Sequence, residues 1–336
     1  MRIAIVNDMK MAVEALRRII VSFPGYEVAW IAENGSEAVK CCAEDVPDLI
    51  LMDLIMPGMN GVEATRLIMA TTPCAILVVT ASVTQNASLV FQAMGEGALD
   101  AVSTPTLGID EKGKGREELL KKVRTIGRLL DANRRNPALK FKESKNAGTS
   151  DKWLIAIGAS TGGPAALVKI LSKLPADLQA SLVVIQHVDQ QFSPGFAEWL
   201  NRQSPLPVQL AREGDSIVNG RVLVAGTNNH LIIKEDGTLG YKREPAGIPY
   251  RPSVDVFFES MLNNWSGRSI AALLTGMGRD GAEGLLRLKD SGVFTIAQSA
   301  ETCAVYGMPK AAAELKAAVK ILPVDRIAET MISNIR

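Results

Sequence analysis

Histidine is nearly missing from this chain: His187 and His230 are the only two among 336 residues. Four cysteines (Cys41, Cys42, Cys74, Cys303) stand at neither disulfide-framework nor metal-ligand spacing. A zinc site of clustered His and Cys therefore finds no support, and the cysteines read as reduced, buried thiols. No apolar run reaches 18 residues, so no transmembrane helix is expected. The opening MRIAIVNDMK lacks the basic region and apolar stretch of a signal peptide. A cytoplasmic location without membrane insertion is the expectation. Net charge is also missing: 37 Lys+Arg stand against 36 Asp+Glu, which points to no nucleic-acid surface.

What is present is ordinary globular composition, 47% hydrophobic and 22% charged, at a length that predicts about two domains. The near-zero balance is a cancellation. Residues 1–109 hold 6 Lys+Arg and 12 Asp+Glu, residues 110–152 hold 13 and 7, and residues 153–336 hold 18 and 17. An acidic block, a basic connector and a neutral block follow one another.

The acidic block alternates apolar strands (Ile3–Val6, Val28–Ile31, Leu49–Met52, Ala75–Val79, Leu99–Val102) with helical patterns such as Met11–Ile20 and Ser36–Cys42. This predicts a parallel sheet with helices on both faces, whose ligands bind outside the carboxyl ends of the strands. Those ends carry Asn7-Asp8, Asp53, Thr80 and Ser103-Thr104-Pro105. Two carboxylates from adjacent strand ends suit a hard cation such as Mg²⁺, and a carboxylate beside it can attack a phosphoryl donor.

On these residues, roughly 1–130 resemble the response-regulator receiver domain. The resemblance implies a flavodoxin-like (βα)₅ fold with Asp53 as phosphoacceptor and Thr80 as the switch hydroxyl. It implies Asp8, Asp53 and the backbone carbonyl of Ile55 as Mg²⁺ ligands, and a chemotaxis-type histidine kinase as phosphodonor. Two departures stand out. Asn7 replaces a common acid, which removes a negative charge and weakens the Mg²⁺ site. Thr104 replaces the Lys that precedes the proline and supplies positive charge to the acyl phosphate.

Leu119, Leu120, Val123, Ile126 and Leu130 fall near one helical face over 116–130, the last helix of this block. Asn133–Thr149 loses periodicity, holds six Lys/Arg/Pro punctuations, and reads as a solvated linker, or as a docking stripe for an acidic partner. The expected division is 1–130, a linker at 131–152, and 153–336.

The last block opens with a strand, Trp153–Ile157, then Gly158-Ala-Ser160-Thr-Gly-Gly-Pro164 and a helix through Leu174. Gly158 to Gly162 spells G-x-S-x-G, a turn that lifts a serine from the sheet edge beside backbone N–H groups. No P-loop pattern accompanies it. A serine nucleophile needs a base and an acid to orient it. His187 ends the apolar run Leu182–Gln186 and is the favoured base. His230 follows a turn signal and receives a structural role. Asp280, in the strand-to-helix run Ser269–Gly281, is the favoured acid. Asp255, inside an expected helix Ser253–Asn263, is the weaker candidate. Gly276-Met-Gly-Arg-Asp-Gly281 also spells a dinucleotide fingerprint, but the next strand, Val293–Ala297, ends in Gln298-Ser299 without a ribose-binding acid.

Taken together, Gly158–Pro164, Gln186-His187, Tyr250-Arg-Pro-Ser-Val-Asp255 and Leu274–Gly281 resemble the catalytic domain of the chemotaxis-type protein-glutamate methylesterases. The resemblance implies a doubly wound, mostly parallel α/β esterase domain without a cofactor. It implies Ser160, His187 and Asp280 as the triad, with Thr161 and the Met277 backbone N–H around the reacting carbonyl. The implied substrates are γ-glutamyl methyl esters on the cytoplasmic helices of methyl-accepting chemoreceptors, with deamidation of receptor Gln beside ester hydrolysis. Asn7-Asp8-Met9 and Ser103-Thr104-Pro105 resemble the Wsp-type surface-sensing subgroup. Domain order and the charge blocks suggest that the receiver restrains the esterase until Asp53 is phosphorylated. The competing class is a non-catalytic receptor-binding adaptor with a degenerate receiver. A DNA-binding regulator is disfavoured because no helix-turn-helix follows the receiver.

Overall fold

In the computed structural model of the chain, the described residues are 1–82, 85–105, 114–131, 150–246, 248 and 250–335. The connector over Asn133–Thr149 and the side chain of Leu130 lie outside them. Contacts divide the chain into two compact units, Met1–Leu139 and Lys140–Arg336.

The first unit runs β1 (Arg2–Val6), α1 (Lys10–Val21), β2 (Glu27–Ala32), α2 (Gly35–Glu44), β3 (Leu49–Met52), α3 (Gly61–Thr71), β4 (Ala75–Thr80), α4 (Ala87–Gly95), β5 (Asp100–Ser103) and α5 (Lys114–Asp131). Its sheet is parallel in the order β2-β1-β3-β4-β5. The strands are apolar without alternation because both faces are covered. Ile3, Ile5, Leu49, Leu51 and Leu77 pack with Leu16 and Ile20 of α1 and Leu119, Val123 and Ile126 of α5. The intervening Ala4, Ile50, Met52 and Ile76 are equally buried. Asn34 and Asn60 start α2 and α3, accepting the Glu37 and Glu63 N–H groups at 2.9 Å.

The second unit runs β6 (Ser150–Ala159), α6 (Gly163–Leu171), β7 (Ser181–Gln186), α7 (Ser193–Gln203), β8 (Val208–Leu210), β9 (Val222–Val224), β10 (His230–Ile233) and β11 (Leu239–Lys242). It continues with α8 (Val254–Asn264), β12 (Gly267–Leu273), α9 (Ala282–Asp290), β13 (Phe294–Gln298), α10 (Met308–Glu314), β14 (Lys320–Leu322) and α11 (Val324–Ile335). Seven strands form a parallel sheet ordered β14-β13-β12-β6-β7-β9-β8, and β10-β11 form a separate antiparallel hairpin. The chain winds from β6 to one side through β7 and returns on the other at β12. The crevice between β6 and β12 is thus the topological switch point, where ligands bind in such sheets.

Of the boundaries that shift, two belong to the elements beside the serine turn. Strand β6 runs on to Ala159, because Gly158 still pairs with Leu273 and Ala159 with Gln186. Helix α6 stops at Leu171, three residues before the expected Leu174. Pro175 disfavours helical backbone at the residue before it, and the Leu174 N–H closes a turn onto the Leu171 carbonyl.

Candidate functional sites

The register of the second sheet sets two of the expected triad residues at neighbouring strand ends. Ala159 pairs with Gln186, so Ser160 and His187 are the next residues off two neighbouring strand ends. The Ser160 N–H donates to the Thr275 carbonyl at 3.1 Å, which ties the serine to the loop after β12. Gly162 turns the chain with φ +75°. Gly276 has no room for a side chain, since a Cβ there would stand 2.7 Å from the Ser160 Cβ. The backbone entering Met277 therefore lies against the serine. Thr161 is buried, and its carbonyl accepts from the Thr275 hydroxyl at 2.9 Å.

His187 and Asp280 meet at 2.7 Å through Nε2 and Oδ2. The His187 Nδ1 is buried and has no hydrogen-bond partner among the described residues. This divides the imidazole: Nε2–H donates to the acid, and Nδ1 is left as the free basic nitrogen. The familiar serine-protease arrangement uses the two nitrogens the other way round. Asp280 accepts three more hydrogen bonds: from the Ser253 hydroxyl (2.7 Å), the Val254 N–H (2.7 Å) and the Asp255 N–H (3.1 Å). Burial opposes its charge, but the His187 contact, the Val254 N–H and the Ser253 hydroxyl outweigh burial and hold the carboxyl below its ordinary range.

Asp255 is not part of this contact set through its side chain. Its Oδ1 accepts the Gly284 N–H at 2.7 Å, near the start of α9. Asp280 thus caps α8, and Asp255 caps α9, each acid serving the other's helix. Burial and the nearby Asp280 charge push Asp255 up to about 8. His230 is fully buried. Its Nδ1 accepts the Ser253 N–H at 3.2 Å, and its Nε2 lies 3.3 Å from the Pro245 carbonyl.

Two groups had no role in the sequence reading. Tyr250 stacks on His187, with ring centroids 4.6 Å apart and planes within 6°. Its hydroxyl would lie 2.6 Å from a Cβ at Gly278, so a glycine is needed there. The Tyr250–Asp255 string was the available signal for this cradle. The segment Ala304–Met308 also packs on the elbow: Gly276 N–H donates to the Val305 carbonyl, and Met308 N–H to the Gly276 carbonyl. Nothing in its spacing announced that role. The dinucleotide-like glycines are spent inside this site. Gly281 has φ +86° and faces Val254 and Leu273, so its place is taken by packing.

At the carboxyl edge of the first sheet, Asn7 and Asp53 are buried and Asp8 is exposed. Asn7 Nδ2 donates to Asp53 Oδ2 at 3.0 Å, and Asn7 Oδ1 accepts the Met9 N–H at 2.8 Å. Asn7 therefore presents its donor to the acid. Leu54 N–H donates to Asp53 Oδ1 at 2.7 Å. Burial is the main cause that pushes Asp53 up to about 6; the Leu54 and Ile55 N–H groups oppose it and Asp8 adds to it. A Cβ at Gly61 would fall 1.9 Å from the Asp53 carbonyl, so only glycine fits behind the acid. Thr80 is buried, and its hydroxyl accepts from Asn86 Nδ2 at 2.9 Å. The Thr104 N–H donates to the Thr80 carbonyl.

The four cysteines are free thiols. Cys42 and Cys74 Sγ atoms lie 4.0 Å apart, a proximity the sequence spacing did not reveal. Among the described residues, no three His, Cys, Asp or Glu cluster as a metal site, and no helix is long and apolar enough to cross a membrane.

Comparison with known proteins gives the family. The CheB methylesterase profile matches residues 155–331, and the response regulator receiver profile matches residues 3–109. The chain belongs to the CheB methylesterase family. It is a methylesterase that carries a receiver domain. A Pseudomonas aeruginosa protein named protein-glutamate methylesterase/protein-glutamine glutaminase 3 is 52% identical over 98% of both chains. A Mesorhizobium japonicum protein of the same name, without the numeral, is 53% identical over 99% of this chain and 98% of its own. The crystal structure of the Thermotoga maritima CheB methylesterase catalytic domain matches with TM-score 0.52 and 35% identity. It covers 55% of this chain and 100% of that one. The α/β fold of both domains follows the family, and the adaptor reading yields to the enzyme.

Proposed function

We propose that this CheB methylesterase hydrolyses γ-glutamyl methyl esters on the cytoplasmic helices of chemoreceptors, giving Glu and methanol, and deamidates receptor Gln by the same route. The enzyme acts in the cytoplasm, with 1–130 as receiver, 131–152 as linker and 153–336 as esterase. The observation that carries the chemistry is the divided imidazole of His187, which follows the strand end next to that of Ser160 and is bonded to Asp280 through Nε2, with Nδ1 lacking a partner among the described residues. Ser160 Oγ attacks the ester carbonyl while His187 Nδ1 takes its proton. Asp280 fixes the tautomer and stabilises the imidazolium. The backbone N–H of Met277, with Thr161, faces the oxyanion. His187 returns the proton to the leaving methoxide, and methanol departs. A water, deprotonated by the same nitrogen, then releases the glutamate from Ser160.

Asp53 is the phosphoacceptor, supplied by a chemotaxis-type histidine kinase, and Thr80 is its switch hydroxyl. The exposed Asp8 carboxylate, Asp53 and the Ile55 carbonyl are all hard oxygen donors, which suits Mg²⁺. When bound, Mg²⁺ neutralises charge on the phosphoryl group. Asn7 directs its N–H₂ at Asp53, which supports a weakened cation site. Phosphorylation regulates the esterase in cis, and deleting residues 1–133 raises basal turnover.

The test is methanol release from methylated receptor. Ser160→Ala lowers turnover by roughly 10⁴–10⁶-fold. Full turnover by a folded Ser160→Ala protein overturns the reading.

A further inference from the structure

We infer that His230, the second histidine of the chain, is a positioning residue for the esterase: it holds Ser253 so that Ser253 can hold Asp280. The inference rests on the reading of Asp280 as the acid of the triad.

The geometry forms an unbroken series. His230 Nδ1 accepts the Ser253 N–H at 3.2 Å. The Ser253 hydroxyl donates to Asp280 Oδ1 at 2.7 Å and accepts the Val256 N–H at 3.3 Å. Asp280 Oδ2 accepts from His187 Nε2 at 2.7 Å. Every polar atom of Ser253 that bonds in this series is thereby fixed in role: one N–H, one O–H and one acceptor position. The serine hydroxyl has a single proton, and that proton is on the Asp280 side. Its direction depends on where the Ser253 backbone sits, and the group on the N–H of that residue is His230.

The partners also fix the state of His230. Because Nδ1 accepts, it carries no proton. The Nε2 then carries the proton, 3.3 Å from the Pro245 carbonyl. A second proton on His230 would set a donor against the Ser253 N–H and remove its acceptor. The surroundings oppose that proton. His230 is fully buried, Arg251 and Lys242 add positive charge nearby, and the Pro245 carbonyl and Asp280 act the other way, with burial the largest influence. A neutral histidine supplies an acceptor on one side and a donor on the other, which an aliphatic side chain of similar size cannot do.

The position makes this more than support of the fold. Ser253 starts α8, and the next two N–H groups, of Val254 and Asp255, also bond Asp280. A shift of Ser253 therefore moves three of the four donors that orient the acid. Misplacement of catalytic geometry by about 1 Å can cost about 10²-fold in rate.

The test uses full-length protein with methylated receptor as substrate and reads kcat, KM and the pH profile. His230→Leu removes both hydrogen bonds. The expected result is a fall in kcat of about 10–100-fold, with KM within about twofold. The acid limb of kcat/KM moves to lower pH, because a misaligned Asp280 supports the His187 imidazolium less. His230→Asn places its amide oxygen near the Nδ1 position, and it restores kcat to within about fivefold of the parent. Ser253→Ala keeps the backbone N–H and loses the hydroxyl, so its effect and that of His230→Leu are non-additive in a double-mutant cycle. Folding is checked by circular dichroism; if His230→Leu is unfolded, the Asn rescue and the Ser253→Ala limb shift still decide. Parental kcat and pH limb in folded His230→Leu overturn the inference. So does full additivity with Ser253→Ala, which marks two unrelated structural defects. Ser160→Ala and Asp280→Asn run alongside. If they too retain turnover, the triad reading fails; if they lose it while His230→Leu does not, this inference alone fails.

Discussion

Asp53 and Asp280 sit at the carboxyl ends of two parallel sheets and are almost equally covered, 8% and 7% exposed. Their protons nevertheless behave in opposite ways: Asp53 is raised to about 6 and Asp280 is held below the ordinary range. Burial acts upward on both, so it cannot explain the difference. The donors explain it. Asp280 receives His187, a serine hydroxyl and two N–H groups at a helix start. Asp53 receives one side-chain amide and N–H groups of the chain just after it. One carboxylate is saturated by its protein and serves to orient another group. The other is under-satisfied, which suits the role proposed for it, to meet a ligand and react.

The largest effect that tests this contrast comes from Asp280→Asn. An amide has one oxygen where the carboxylate has two, so it cannot accept from both the His187 side and the Ser253 side. The charge that favours the imidazolium is lost as well. Turnover falls by about 10⁴-fold, measured as methanol release, and the melting temperature falls with it. A variant with near-parental turnover would break the contrast, since saturation by four donors would then have no catalytic meaning.

The sequence told much of this from residue order alone. Both sheets were legible because their strands are buried on both faces and therefore apolar throughout, as in Leu49–Met52 and Leu182–Ile185. Ser160, His187 and Asp280 could be proposed because each follows a strand and stands in a glycine-rich or turn context, and because only two histidines competed for one role; the His187–Asp280 bond is the contact among them that the structure shows. Tyr250 was quoted within a motif but not given a role, because a ring stack between residues 63 apart has no periodicity to read. The crossed caps of Asp255 and Asp280 were hidden for a related reason. Asp255 looked like a rival acid within a helix, and only the packing of α8 against α9 turns its carboxylate toward Gly284. In the sequence Asn7 is legible only as a lost negative charge at the cation site, with no direction for its amide. The structure turns its N–H₂ toward Asp53, because the Met9 N–H occupies its oxygen.

The crossed caps supply the next test. Asp255→Ala leaves the buried Gly284 N–H without its acceptor and costs about 1–3 kcal/mol. Asp255→Asn keeps an acceptor and removes a buried like charge beside Asp280, so it is neutral or stabilising at alkaline pH. The sign follows from the raised Asp255. Its contribution is fully present below the ordinary carboxyl range and is lost as pH rises through about 8. Urea denaturation between pH 5 and 9 should show a decline in the parent that levels off above about pH 8 and is flatter in Asp255→Asn. Parallel declines would show that Asp255 holds no proton there and that Asp280 does not press on it.

The smallest effect carries the opposite sign to the first. Asp53 is raised, so in the folded state it retains a proton that the unfolded chain gives up between the ordinary range and about 6. Its contribution to stability is present at low pH and lost as pH rises through that value. At pH 7.5, without divalent cation, the ionised Asp53 therefore weakens its own sheet edge. Asp53→Asn removes that charge and accepts Leu54 N–H through its amide oxygen. It is expected to stabilise the first unit by about 1–2 kcal/mol, while abolishing phosphorylation. Hydrogen exchange of the β1 and β3 amides in the full chain reads this locally, and the gain should vanish below about pH 4. A loss of protection in Asp53→Asn would mean that Asp53, like Asp280, is saturated by its donors, and the two acids would then differ in neighbours but not in kind.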